Sequence, residues 1–192
     1  MNNKTVKITI TAVMAAIGTI IYMLFPEIPL IPASQYLKMD FSDIPAIITS
    51  VLIGPLWGIM VEVIKNIIHL TRTTTFGIGE LINVGMGTAL SVSLIGFMRL
   101  FERLLKKNRF SFSVYIISAI ATLIVAVISG WLLNAVFTPL YFAVTGIPIT
   151  AKSVLAGVIG STLLNVVKAS LNILPFYPVY FALDKAFSKI YH

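Results

Sequence analysis

Long uncharged apolar runs alternate with short polar segments along this chain. Ile8–Phe25 and Leu81–Met98 each extend for 18 residues without a charged side chain, and Phe110–Ala151 extends for 42. A helix of about 20 predominantly apolar residues crosses the hydrocarbon core of a bilayer. The pattern therefore predicts an all-α membrane protein whose chain crosses the bilayer several times.

Six transmembrane helices fit these runs best, and the second of them is short. Gly54 and Pro55 interrupt an apolar stretch, and a proline inside a helix removes a backbone hydrogen bond. The alternative is one long kinked helix across this dipeptide, which would leave five spans. The predicted helices cover residues 7–25, 44–54, 56–71, 78–104, 112–137 and 153–186, within a single transmembrane domain comprising residues 1–192.

Prolines and glycines indicate where the last two helices end or bend. Pro139, Gly146 and Pro148 mark a loop before the sixth helix, so the fifth helix is expected to end ahead of them. Pro175 and Pro178 are expected to kink the sixth helix, because neither can donate a backbone hydrogen bond.

Composition and charge support a membrane location and predict an orientation. Hydrophobic residues make up 58% of the chain and charged residues 11%, and the mean hydropathy is +0.97. With six spans, both termini and the 105–111 loop share one side with nine of the fourteen Lys and Arg residues. Because cytoplasmic loops are enriched in these residues, both termini are predicted to be cytoplasmic. The net charge of +7 then indicates topology and attraction to anionic lipid rather than nucleic-acid binding.

Lys168 is the most unusual residue, because it lies at the centre of an uncharged stretch from Ser153 to Leu183. Fifteen uncharged residues on each side correspond to about 22 Å of helix, too far for a lysine side chain to reach water. An ammonium group at mid-membrane costs roughly 2.5–3.5 kcal/mol, so such a residue indicates a functional site. Asn165 and Asn172 lie on the same face, and together they predict a buried polar site.

The predicted topology brings other polar residues to the same outer half. Glu80 and Asn83 begin the fourth helix, Asn134 lies near the outer end of the fifth, and the 26–43 loop is outside. Neutral amides suit hydroxyls, ring nitrogens and carbonyls, whereas a lysine suits a carbonyl or a carboxylate. With the apolar residues of the outer loop as a cover, these groups favour a small, mostly neutral, partly aromatic solute.

Structural roles are the alternative for each of these residues. Lys168 would only hold helices together if it paired with Glu80 or Glu62. The asparagines would then serve as hydrogen bonds between helices. Glu62 and Lys65, at i,i+3 spacing, are expected to neutralise each other, and His69 is expected at the membrane interface.

The chain carries no motif that would supply energy or catalysis. It lacks a G-x-x-x-x-G-K-[ST] phosphate loop and cysteine, and two histidines cannot build a histidine metal site. Transport would therefore need a gradient or a partner, and no cofactor is expected. Ala12 and Ala16 in the first helix form a small-x-x-x-small pair that lets another helix approach closely. This pair is predicted to face a partner, with packing inside the bundle as the alternative.

Several motifs together carry a resemblance to one family. Asp-Phe-Ser-Asp-Ile-Pro occupies positions 40–45, Gly-Pro 54–55, Lys-Asn 65–66, and Glu-x-x-Asn 80–83. With the alanine pair of the first helix, these motifs resemble the riboflavin-specific S components of energy-coupling factor (ECF) transporters. S components for different vitamins share a fold, so the fold alone does not select the ligand.

The resemblance implies the S-component fold, tight riboflavin binding from the outside and inward delivery, without ATPase activity in this chain. It implies a transmembrane T protein and two cytoplasmic ABC-type ATPases as partners in a bacterial cell membrane, with Ala12 and Ala16 facing the T protein. The first outer loop would act as a lid. The implied ligand residues are Glu80, Asn83, Asn134, Asn165, Lys168 and Asn172, with Leu37, Lys38, Asp40 and Phe41 in the lid; Asp43 is expected to cap the second helix.

Other classes of function stay open at this stage. They are an S component for another vitamin, a stand-alone secondary carrier, an intramembrane enzyme and a scaffold. A carrier would need coupling-ion groups and usually an inverted repeat. An enzyme would need a nucleophile or a metal site. The sequence shows none of these features clearly.

Overall fold

The computed structural model describes residues 3–24, 28–29, 38–146, 148–179 and 181. Six α-helices dominate these ranges. A 3₁₀ turn, Leu70–Arg72, follows the third helix, and two-residue strands β1 (Ile28–Pro29) and β2 (Lys38–Met39) pair antiparallel before the second. The helices are α1 (Lys4–Leu24), α2 (Ile44–Ile53), α3 (Pro55–His69), α4 (Ile78–Leu105), α5 (Phe112–Thr145) and α6 (Ala151–Ile173).

The predicted fold class is confirmed, including the short second helix. Four helices are long and apolar enough to cross a membrane, namely α1, α4, α5 and α6 with its continuation to Val179. The other two are shorter, with 10 residues in α2 and 15 in α3. The chain is therefore an all-α membrane protein.

Gly54 produces the break between α2 and α3. Its φ of 118° lies in a region that side chains rarely adopt, and Pro55 opens the next helix. The two helices then lie against each other, since a Cβ on Gly58 would lie 2.6 Å from the carbonyl oxygen of Ala46. The alternative of one long kinked helix is therefore wrong.

The predicted ends of the last two helices need correction. Pro139 does not end α5, which continues to Thr145 and stops at Gly146, where φ is 71°. Membrane helices tolerate an internal proline because neighbouring groups compensate the lost hydrogen bond. The sixth helix, in contrast, is shorter than predicted, because α6 ends at Ile173. A turn at 174–175 separates it from a further helical turn at 176–179. Pro175 thus interrupts α6 instead of kinking it.

The interior differs between the two halves of the bundle. α4 lies centrally, in contact with α2, α3 and α5, while α6 packs on α5 and α1 packs on α2 and α3. Towards the C-terminal end of α4 the interior is apolar, with fully buried Leu90, Leu94 and Met98. Tyr115 closes this core by donating a hydrogen bond to the carbonyl of Ile173 at 2.8 Å. Towards the other end of α4 the buried side chains are largely polar.

A substitution at Gly87 on α4 tests the close contact between α3 and α4. A Cβ at this position would lie 2.2 Å from the carboxyl carbon of buried Glu62, so Gly87→Ala forces the helices apart. We expect Gly87→Ala to lower the free energy of unfolding by roughly 1–3 kcal/mol, the usual effect of overpacking. Gly96→Ala is the matched control on the same helix, because its Cβ would meet nothing within 4 Å. Thermal unfolding in detergent measures both, and equal midpoints would contradict the contact.

Candidate binding site

Lys168 faces the interior of the bundle and is only 6% exposed. Its Nζ lies 2.9 Å from Oδ2 of Asp40 and 3.4 Å from Oδ2 of Asp43. It also donates a hydrogen bond to Oδ1 of Asn83 on α4. The predicted burial of Lys168 is confirmed, but its partners are the two aspartates before α2, and neither Glu80 nor Glu62 pairs with it among the ion pairs of the described residues.

Asp40 anchors the end of the segment between α1 and α2 to α6. Its Oδ1 accepts a hydrogen bond from the backbone N–H of Ser42 at 2.8 Å, and its own carbonyl accepts one from Asn172 at 3.0 Å. Burial alone would raise the pKa of Asp40, but the ammonium groups of Lys168 and Lys65 hold that pKa well below its usual value. The carboxylate therefore stays ionised and compensates Lys168.

A second ammonium group lies beside the first. Lys65 on α3 is fully buried, with Nζ 2.5 Å from Oδ1 of Asp43 and 2.8 Å from Oε2 of Glu62. The same Nζ lies 5.7 Å from the centre of the Tyr22 ring on α1. The expected neutralisation of Lys65 by Glu62 is confirmed, and it forms part of a larger network.

Asp43 connects the two lysines. It occupies the N-cap position of α2, as expected, but its side chain makes no capping hydrogen bond. Each of its carboxylate oxygens faces a different ammonium group instead. We call this network the ionic cluster; its members are Asp40, Asp43, Glu62, Lys65 and Lys168.

Glu80 belongs to a different set of contacts from the one predicted. Its carboxylate accepts hydrogen bonds from Thr73 at 2.9 Å and Thr75 at 3.2 Å, and it lies 2.9 Å from Nδ1 of His69. His69 is buried and stacks on the ring of Tyr22 with 3.6 Å between ring centres, so its side chain faces the interior of the bundle, and its expected position at the membrane interface stays a prediction. Glu80 thus joins α4 to the end of α3.

Asn83 bridges the ionic cluster to α3. It accepts from Lys168 and donates through Nδ2 to Oδ1 of Asn66 at 3.2 Å. Asn66 in turn donates to the backbone carbonyl of Glu62 at 2.9 Å. The sequence singled out Asn66 only as part of the Lys-Asn motif and left it out of the predicted site. The spacing of Glu62, Lys65, Asn66 and His69 was the available signal, because it places four polar side chains on one face of α3.

Asn134 and Asn165 line the seam between α5 and α6. Both are buried, and Gly130 makes room for Asn165, since a Cβ there would lie 1.8 Å from its Nδ2. Asn134 donates to the carbonyl of Gly130 at 2.8 Å, whereas its Oδ1 has no hydrogen-bond partner in the described chain. Asn172 likewise has an unpartnered Oδ1. Both amide oxygens are therefore buried without a hydrogen-bond partner among the described residues.

The remaining predicted residues lie at the edges of this arrangement. Leu37 is outside the described residues, and Lys38 is described only through its backbone pairing with Pro29. Phe41 is half-buried beside Asp40. On α1, Ala12 and Ala16 are exposed whereas Ala15 is buried, so the alanine pair faces away from the bundle.

The arrangement is a polar interior in an all-α membrane protein, with an ionic cluster and unpartnered amides on α5 and α6. Comparison with known proteins gives the family. The model for the substrate-specific component of ECF transporters matches residues 6–183, so the chain belongs to this family.

Relatives with experimental or curated descriptions are similar to this chain at modest identity. A riboflavin transporter, FmnP, of Bacillus subtilis is 29% identical over 141 residues, 70% of each chain. A riboflavin transporter, RibU, of Lactococcus lactis is 24% identical over 180 residues, 91% of this chain and 81% of the relative. The solved structure of the S component of a bacterial ECF transporter aligns with a TM-score of 0.70 and 22% identity, covering 96% of this chain and 99% of that one. The S-component fold is thus shown.

The ionic cluster predicts a strong dependence of stability on Lys65. Lys65→Met leaves Asp43 and Glu62 buried without their cation, and breaking a buried pair in this way costs about 3–5 kcal/mol. We expect a large drop in thermal unfolding midpoint or in folded yield. The double variant Lys65→Met with Asp43→Asn should regain part of the loss, because one uncompensated carboxylate is removed. A double variant no more stable than the single one would contradict this pairing.

Proposed function

We propose that this chain is the riboflavin-binding S component of an ECF-type importer. The observation that carries the proposal is the buried ammonium group of Lys168, which is held by Asn83 and Asp40 in a chain whose relatives include named riboflavin transporters. Riboflavin is a flat, largely neutral ring system with a chain of hydroxyls. Such a ligand needs many hydrogen-bonding partners when it leaves water, because unpaired buried polar groups are costly.

Lys168 has one donor to offer to the ligand. An ammonium group has three N–H donors, and Asp40 and Asn83 accept two of them. A ring carbonyl of the ligand takes the third, in place of the longer contact to Asp43. Asn134, Asn165 and Asn172 supply amides to the rest of the ligand. The loop that carries Leu37, Lys38, Asp40 and Phe41 closes over it as a lid.

Inward delivery depends on other proteins in this proposal. A transmembrane T protein and two cytoplasmic ABC-type ATPases provide the energy, and this chain provides the binding site. The exposed face of α1 at Ala12 and Ala16 receives the T protein, because small side chains allow close helix contact. Both termini are cytoplasmic, and riboflavin enters from the opposite side.

Riboflavin binding to the purified protein tests the proposal directly. We expect saturable quenching of riboflavin fluorescence in detergent, which no other vitamin abolishes at equal concentration. Lys168→Ala is expected to weaken binding by at least about 2 kcal/mol, the usual effect of losing a charged hydrogen-bond partner. Lys152→Ala is the matched control, since Lys152 is an exposed lysine on the same helix.

A further variant separates ligand contact from damage to the fold. Lys168→Ala with Asp40→Asn removes both charges, so that no unpaired carboxylate remains from their pair. This double variant is expected to unfold at a higher temperature than Lys168→Ala alone. It is still expected to bind riboflavin weakly. Wild-type affinity in a folded Lys168→Ala protein would contradict the ligand role of Lys168, and an unmodified protein that binds no riboflavin would refute the proposed function.

The partner surface is tested by adding bulk to α1. Ala12→Trp is expected to leave riboflavin binding unchanged but to abolish uptake by cells or by proteoliposomes that contain the whole transporter. Val13→Trp is the control, because Val13 is also exposed but lies about 100° around the helix. Normal uptake with Ala12→Trp, or uptake by this chain alone, would contradict the proposed partner arrangement.

A further inference from the structure

Every fourth residue along most of α5 is buried, and most of these residues are small or polar. This row, the α5 stripe, faces the other helices, and the residues between its members are mostly apolar and more exposed. Small residues in such a row let neighbouring helices approach, as Gly130 does for Asn165. The stripe consists of Ser118, Thr122, Ala126, Gly130, Asn134, Thr138 and Phe142.

Thr138 has a hydroxyl that the chain leaves unused. The residue is 1% exposed, and its Oγ1 has no hydrogen-bond partner in the described part of the chain. Ser118 and Thr145 on α5 instead donate to the carbonyl four residues earlier, at 2.7 and 2.8 Å, whereas the buried hydroxyl of Thr122 also has no partner among the described residues. A buried hydroxyl without a partner is unfavourable by itself, so an external group that pairs with it gains affinity.

The register between helices places Thr138 at the outer end of the site. Gly85 on α4 lies against Leu133, where a Cβ would approach to 2.8 Å, so the antiparallel register puts Thr138 level with Glu80. Glu80 is committed to His69 and to the threonines before α4, on the other side of the helix. At this level Thr138 is therefore a buried polar group of α5 that has no partner among the described residues.

Depth decides which part of a ligand Thr138 meets. Gly130 is level with Asn165, and Thr138 lies eight residues further along α5, about 12 Å closer to the outer surface. Lys168 and Asn83 hold the deep end, where ring carbonyls bind in the proposed function. Beyond Asn134, apolar Ile78, Tyr141 and Phe142 form a neighbouring cluster.

We infer that Thr138 is a further ligand contact, which binds the polyol chain of the flavin and not its ring. The inference rests on the proposed function and adds a residue that discriminates between flavins. Its hydroxyl donates to or accepts from a ligand hydroxyl, one helical turn outward from Asn134. Ligands that carry the ring alone gain nothing from it.

The test compares riboflavin with lumiflavin, which has the same ring but a methyl group in place of the polyol chain. Thr138→Val keeps the shape and removes the hydroxyl, and it is expected to raise the Kd for riboflavin about three- to ten-fold. The Kd for lumiflavin should not change. Thr138→Ser keeps the hydroxyl and should bind riboflavin as the unmodified protein does. Fluorescence titration in detergent measures each Kd.

Thr122→Val is the matched control, because Thr122 is a buried, unpartnered threonine on the same stripe, four turns nearer the cytoplasmic end. It should change neither Kd. An unchanged riboflavin Kd in Thr138→Val, or an equal loss in Thr122→Val, overturns the inference. An equal rise in the Kd values of riboflavin and lumiflavin in Thr138→Val overturns the assignment to the polyol chain. If Thr138→Val does not fold, Thr138→Ala takes its place. A higher riboflavin Kd for Thr138→Ala than for Thr138→Ser supports the inference, and equal values overturn it. If the unmodified protein binds neither flavin, the proposed function fails as well.

Discussion

Two ammonium groups buried within the membrane must be compensated, and the rest of the interior is arranged around that requirement. Asp40 and Asp43 reach Lys168 and Lys65 from the chain segment just before α2, so a loop end, α3 and α6 meet at one network. Gly87 has no side chain because the carboxylate of Glu62 occupies that space. The break at Gly54 lets α3 turn back and hold Lys65 against α2. Removing any one charge would leave another without its partner in a medium of low polarity.

The site has two parts with different chemistry. The ionic cluster is nearly saturated by its own members, which suits a rigid floor and an anchored loop. The buried face of α5 differs from the ionic cluster, because the side-chain oxygens of Asn134 and Thr138 have no partner in the described chain. A ligand gains most where the protein leaves polar groups unpaired. This division leaves the buried cation of Lys168 to the architecture and, in the proposed function, to ligand binding as well.

Particular residues show where sequence reasoning succeeded and where it failed. Lys168 and Asn83 were found because a charge or an amide within an apolar helix is conspicuous, and the structure brings them into contact. The contact between Glu80 and His69 was not foreseen, because only the stacking on Tyr22 and the turn after α3 direct the two side chains towards each other. Pro139 was taken as a helix end, although neighbouring helices stabilise α5 through it. The α5 stripe escaped notice because apolar residues surround the helix and hide its four-residue period.

The sequence by itself determined the membrane class, the number of helices, the break at Gly54 and the presence of a buried cation, since all of these follow from hydropathy and backbone chemistry along the chain. Only the tertiary structure decided which carboxylate compensates each lysine and which polar atoms are left without partners. The physical reason is that pairing depends on distances of about 3 Å between helices far apart in sequence, such as α6 and the segment before α2. Periodicity along one helix carries no information about those distances.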